Sequence, residues 1–83
     1  MRGIKIYKHN GKCNACGEVI RRERERAGLS QEQLAAKLQL TGVNLNQKAI
    51  SRIETGERVV ADYELLTLAK VLGVTINCLL NID

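Results

Sequence analysis

Four residues in this chain could in principle ligate a metal ion or do redox chemistry: His9, Cys13, Cys16 and Cys78. Cys13 and Cys16 form a Cys-x-x-Cys pair, which is half of a structural zinc site, and His9 could add a third ligand. Structural zinc needs four ligands. Cys78 lies far along the chain, and there is no second Cys-x-x-Cys. Cys16 falls where a helix should begin and Cys78 among apolar residues, and a free cysteine in such places behaves as a small buried hydrophobe. Three cysteines, an odd number, do not form a disulfide framework. The expectation is no metal ion, no cofactor and no redox pair. A nucleophile and base pair would have to use the single histidine or a carboxylate pair in a pocket, and no glycine-rich phosphate loop is present. The chain is not expected to be an enzyme.

A second set of polar groups has a different chemistry. Gln47, Lys48, Ser51 and Arg52 alternate with Ala49, Ile50 and Ile53, so a helix there carries a polar outer face and an apolar inner one. A side chain that reads a base edge must present paired hydrogen-bonding groups. Arginine matches guanine O6 and N7, and glutamine matches adenine N6 and N7. Serine and lysine suit phosphates, which orient a protein on a duplex without specifying sequence. Any solvated helix face is also polar, so these four residues alone leave both readings open.

The elements that must carry these residues are legible. Asn14 is a plausible cap for a first helix of about residues 15–27, followed by Gly28, with Val19, Ile20, Glu23, Arg24 and Ala27 on one face and Glu18 one turn before Arg22. Ser30 and Gln33 form a capping box for a second helix, with Leu29 and Leu34 as a hydrophobic staple and Leu34, Ala35 and Leu38 as its buried stripe. Residues 39–46 form a connection, in which Leu40, Val43 and Leu45 are apolar enough to pack on the core. Asn46 can cap a third helix over about residues 47–54, closed by Gly56. A fourth helix runs from just after Asp62 to Leu72, with Leu65, Leu66, Leu68, Ala69 and Leu72 as core residues, and Thr75 caps a short last helix with Ile76, Leu79 and Leu80. Residues 2–8 alternate weakly as a strand that would need a partner, or form a basic arm.

Eighty-three residues correspond to one domain with a modest core. There is no Phe, Trp or Pro and only Tyr7 and Tyr63 are aromatic, so the core must be aliphatic. The net charge of +4 is uneven: residues 1–12 carry Arg2, Lys5, Lys8 and Lys12 with no acid, whereas residues 59–83 carry Lys70 against Asp62, Glu64 and Asp83. A basic front half suits a polyanionic partner, although charge of this size also fits a merely solvated surface. No apolar run approaches the ~20 residues of a membrane span, and no signal-peptide core is present. No membrane association and a cytoplasmic location are the expectations.

The segments IRRERERAGLSQEQLAAKL, AISRIETGER and DYELLTLAKVLGVTINCLL together resemble the Cro and phage-repressor (XRE-like) type of helix-turn-helix family, over roughly residues 19–80. The resemblance implies an all-α, five-helix, lambda-repressor-like domain over residues 14–83, preceded by a basic strand or arm over residues 1–13. It also implies that helices 2 and 3 form the DNA-reading unit. Gln31 matches the family's helix 2 glutamine, which reaches phosphate and the start of the recognition helix. Asn46, at the cap of that helix, is expected among the DNA-binding residues, and Gln47, Lys48, Ser51 and Arg52 match positions facing base edges or nearby phosphates. Arg24 matches a helix 1 arginine that pairs with the glutamate here at Glu54, although two independent surface charges would fit the sequence as well. Arg58 lies in the loop after helix 3, where basic residues touch phosphate.

One feature departs from the family pattern. Eleven residues separate Leu38 from Ile50, and the family's turn is several residues shorter. Ile50 and Ile53 hold the register of helix 3, so residues 40–45 are the additional ones. The expected function is a sequence-specific DNA-binding transcriptional regulator, most often a repressor, acting on double-stranded DNA as a homodimer through helix 5 and the C-terminal residues Leu79, Leu80 and Ile82, with or without the N-terminal strand. The competing class is a protein-interaction module, either an antitoxin-like partner or a helical adaptor. A basic reading face favours the first, and an exposed apolar patch on helix 5 or the longer turn favours the second.

Overall fold

The computed structural model describes Lys8 and residues 10–82. Five helices follow one another: α1 (Gly17–Arg26), α2 (Gln31–Leu40), α3 (Gln47–Thr55), α4 (Asp62–Leu72) and α5 (Ile76–Leu79). No β-strand occurs among the described residues, and the alternating segment at residues 2–8 lies outside them save for Lys8. The all-helical, five-helix expectation holds.

Local signals set most helix starts. Ser30 Oγ accepts from Gln33 N–H at 3.0 Å while Gln33 Oε1 accepts from Ser30 N–H at 2.8 Å, so both halves of the box at the head of α2 are made. Asn46 Oδ1 accepts from Ala49 N–H at 2.8 Å and Thr75 Oγ1 from Cys78 N–H at 3.0 Å, capping α3 and α5. Gly56 closes α3 at φ +84°, a left-handed conformation that favours glycine.

The start of α1 differs from expectation. The helix begins two residues later than residue 15, and Asn14 works from outside it. Its Oδ1 accepts from Gly17 N–H at 2.8 Å, and its Nδ2 donates to the carbonyls of Ile53 at 3.0 Å and Arg58 at 2.7 Å. One side chain thus ties the first turn of α1 to the end of α3. The helices meet so closely there that a Cβ on Gly17 would stand 2.1 Å from the Ile53 carbonyl oxygen. Ala27, expected on the inner face, is exposed because α1 has ended at Arg26. Glu18 accepts from Lys12 at 2.6 Å rather than pairing with Arg22.

α1 and α2 both pack on α3, and α4 packs on α1, α2 and α5. The centre is aliphatic, as the composition requires: Ile20, Leu34, Leu38, Ile50, Ile53, Leu68 and Leu79 are wholly buried. Each such side chain contributes ~1.5–3 kcal/mol relative to exposure.

The longer turn divides its apolar residues. Leu45 is buried and Val43 packs against the core, but Leu40 is 89 % exposed. α2 continues through Leu40, two residues beyond Leu38, and two helical steps of ~100° each carry a side chain to the opposite side. The chain then turns back at residue 41, where the Thr41 hydroxyl and the Val43 amide both donate to the Leu38 carbonyl, at 2.6 and 3.2 Å. Leu66 departs for the same reason. Leu68 and Ala69 are buried and Leu65 and Leu72 pack against the core, but Leu66, which shares their segment and not their face, is 56 % exposed.

Candidate nucleic-acid interface

α3 has two sides. Ile50, Ile53 and Glu54 are buried, whereas Gln47, Lys48, Arg52 and Thr55 are exposed and Ser51 is half-buried. At ~100° per residue, the side chains from Gln47 round to Arg52 occupy an arc of roughly 140° directed away from Ile50 and Ile53. Gln47 lies at the edge of that arc nearest Glu54.

A chain of polar contacts runs from the core to this edge. Arg24 grips Glu54 with both prongs of its guanidinium: Nε donates to Oε2 at 2.6 Å and Nη2 to Oε1 at 3.0 Å. Its Nη1 donates to the Leu29 carbonyl at 2.8 Å, so α1, the α1–α2 turn and α3 are joined at one residue. Both side chains are nearly buried, at 11 % and 3 % exposure, and the bond to Glu54 raises the Arg24 pKa above its ordinary value. Gln31 Nε2 then donates to Glu54 Oε1 at 3.0 Å, and Gln47 Nε2 donates to Gln31 Oε1 at 2.6 Å.

The direction of this chain is dictated chemically. An ionised carboxylate only accepts, so Gln31 must turn its amide nitrogen to Glu54 and its oxygen to Gln47. Gln47 must therefore present its own nitrogen to Gln31. This chain of contacts leaves the Gln47 Oε1 and second N–H unused, on a residue that is itself exposed.

The other candidates are placed less uniformly. Lys48 and Arg52 stand on the exposed arc, and Asn46 uses its Oδ1 for the cap. Arg58 is held in a bidentate pair with Glu64, Nη1 to Oε1 at 2.9 Å and Nη2 to Oε2 at 3.1 Å. Glu64 also accepts from Ala61 N–H at 3.0 Å at the head of α4. Its carboxyl is lowered below the usual range, chiefly by Arg58. Sequence reasoning missed this partner. The available signal was an acid at the third position of α4, six residues after Arg58.

The remaining chemistry candidates lie elsewhere. Cys16 is buried in the core, and burial pushes its thiol pKa up, which disfavours the thiolate that binds metals or attacks electrophiles. Cys13 and Cys78 are half-buried free thiols, and His9 lies outside the described residues. Among the described residues no three His, Cys, Asp or Glu side chains gather to hold a metal ion. A cleft of about 330 Å³ opens beside the first turn of α1, lined in part by Lys12, Asn14, Glu18 and Glu54. Its charged groups are engaged in pairs, Lys12 with Glu18 and Glu54 with Arg24.

Residues 15–77 match a family model described as a helix-turn-helix domain, well over half of the 83 residues. The chain belongs to the helix-turn-helix domain family. No curated protein and no solved structure gives a significant match. In a helix-turn-helix domain the second helix of the unit enters the major groove and the first crosses the backbone. Membership of the family points to DNA as the class of partner. The match runs through residues 41–46, the connection between α2 and α3. No helix among the described residues is long and apolar enough to cross a membrane.

Proposed function

We propose that this helix-turn-helix protein is a sequence-specific transcriptional regulator in the cytoplasm, acting as a homodimer and repressing by occupying its operator. α3 lies in the major groove, and the protein does no catalysis. The observation that carries this reading is the Gln47–Gln31–Glu54 chain, which pre-orients a glutamine at the exposed head of α3. The Gln47 oxygen and second N–H match the N6 donor and N7 acceptor of adenine. Arg52 suits a guanine or a phosphate, and Lys48 and Ser51 suit phosphates. Arg58 must give up or share its bidentate contact with Glu64 to reach a phosphate, so it contributes less than Lys48. One α3 reads only a few base pairs, so specificity calls for two half-sites about one helical turn apart.

The test is selection of bound duplexes from the source organism's genome, followed by binding measured across salt. Arg52→Ala should cost ~1–3 kcal/mol of discrimination if it contacts a base. Lys48→Ala should weaken binding to all sequences alike and reduce the salt slope by roughly one unit. Gln47→Ala should relax preference at one base pair more than it lowers affinity.

Leu40 supports a second reading, an interaction module such as an antitoxin-like partner or helical adaptor, because an 89 % exposed leucine at the longer turn is an apolar group without a place in the core. That reading takes the lead if all three α3 variants bind the selected duplex like the parent chain.

A further inference from the structure

The outer face of α4 carries large apolar side chains with no role in the domain core. Leu66 is 56 % exposed and Tyr63, one turn earlier, is 62 % exposed. Asp62 and Lys70 are exposed on the same side. Asp62, Leu66 and Lys70 are spaced i, i+4, i+8, and Tyr63 sits three residues before Leu66, so all four share one face. The side with Leu65, Leu68, Ala69 and Leu72 packs inward, and Asp62 stands at its border, one helical heptad before Ala69.

The order of these groups is symmetric in position and opposite in charge. Leu66 is the midpoint, the acid lies four residues before it and the base four residues after. A second copy of α4 laid antiparallel across the first, with a two-fold axis through Leu66, sets Asp62 of each copy against Lys70 of the other. It also places the two Leu66 side chains in contact and flanks them with the Tyr63 rings. Such a patch is self-complementary in the sense a two-fold interface requires. A parallel arrangement would set like charges together.

We propose that this face of α4 docks a second copy of the same chain as an antiparallel helix pair. The inference rests on the dimeric DNA-binding reading above, and it relocates the contact from α5. Of the three residues expected at that interface, Leu79 is wholly buried in its own domain, Leu80 is half-buried, and Ile82 is exposed but lies beyond the end of α5. One short helix pair is a small interface. The dimer is weak in free solution, and two adjacent half-sites strengthen it by holding the copies at high effective concentration.

The experiment is sedimentation of the full chain, free and on a duplex carrying two half-sites, for the parent and for Asp62→Lys, Lys70→Glu, the double reversal and Leu66→Ser. Thermal melting of each variant is recorded, since both reversals oppose the helix dipole, and association is compared at equal folded fraction. Each single reversal creates two like-charge contacts and should raise the dimer dissociation constant about tenfold, while the double reversal should return it to within a few-fold of the parent. Leu66→Ser should leave a folded monomer. A parent chain that is monomeric both free and on the duplex overturns the proposal. So does a double reversal no better than the single ones, or a Leu66→Ser dimer as tight as the parent. Binding to a duplex with one half-site separates the two readings. Its survival in the monomeric variants upholds DNA binding whatever the fate of α4, and its absence in the parent chain counts against DNA reading while leaving the sedimentation result to judge the helix pair.

Discussion

Gln47 is tied to Gln31 by a 2.6 Å hydrogen bond in which Gln47 donates, and the buried Glu54 behind Gln31 allows no other orientation. The head of α3 is thereby ordered before any duplex arrives. Pre-ordering reduces the entropy lost when a long polar side chain is fixed on binding. It also couples α2 to α3 through their side chains, across the longer turn that separates them in sequence.

Replacing Gln31 by alanine should release Gln47 without unfolding the domain, since Gln31 is half-buried and outside the apolar core. If Gln47 reads a base pair as proposed, discrimination there should fall toward that of Gln47→Ala, and the double variant should be little worse than either single one. Fully additive losses in a binding cycle would show that the two glutamines act independently.

Arg24→Ala should be strongly destabilising. It removes both charged contacts from Glu54, which is 3 % exposed, and leaves a carboxylate stranded between α1 and α3. The expected cost is ~3–5 kcal/mol, a large share of the ~5–15 kcal/mol stability of a typical domain. Arg24→Met combined with Glu54→Leu should be less damaging than Arg24→Ala, because no buried charge is left unpaired. Denaturant unfolding of the three chains decides this, and a double variant worse than the single one counts against it.

The Arg58–Glu64 pair predicts an acid-sensitive term. The Glu64 carboxyl is lowered in the folded state relative to its ordinary value, so the folded chain holds this proton less tightly than the unfolded one. Its contribution is present above the unfolded carboxyl pKa and is lost as pH falls through the folded one. Stability measured from neutral pH into acid should therefore decline less steeply for Glu64→Gln than for the parent. Parallel acid limbs would show that Glu64 takes no part.

Gly17→Ala should cost stability despite alanine's better helix propensity. The new methyl would stand 2.1 Å from the Ile53 carbonyl oxygen, which is backbone and cannot rotate away. Relief requires α1 to move off α3 and strains the Asn14 bonds to Gly17, Ile53 and Arg58. Overpacking of this kind costs typically ~1–3 kcal/mol, and for a domain of this size each ~1 kcal/mol lowers the melting temperature by about 4–8 °C. An unchanged or higher melting temperature would contradict the close approach of the two helices.

What the sequence determined by itself was whatever depends on neighbours a few residues apart. The Ser30–Gln33 box, the Asn46 and Thr75 caps and the glycine at the end of α3 are interactions within one turn of chain, and they mark where α2, α3 and α5 begin and where α3 stops. The polar and apolar sides of α3 follow from helical period alone, so the candidate reading face was legible as well. Tertiary structure decided what depends on direction in space and on partners distant in sequence. Leu40 and Leu66 are as apolar as Leu38 and Leu68, yet helical phase turns them outward, and only the packed neighbours establish which phase is inner. Asn14 reaches carbonyls 39 and 44 residues away, and Gln31 meets Glu54 23 residues on. Arg58 is occupied by Glu64 because the chain turns back between α3 and α4. A hydrogen bond between remote residues leaves no periodic trace in the sequence, because its geometry exists only once the helices have packed.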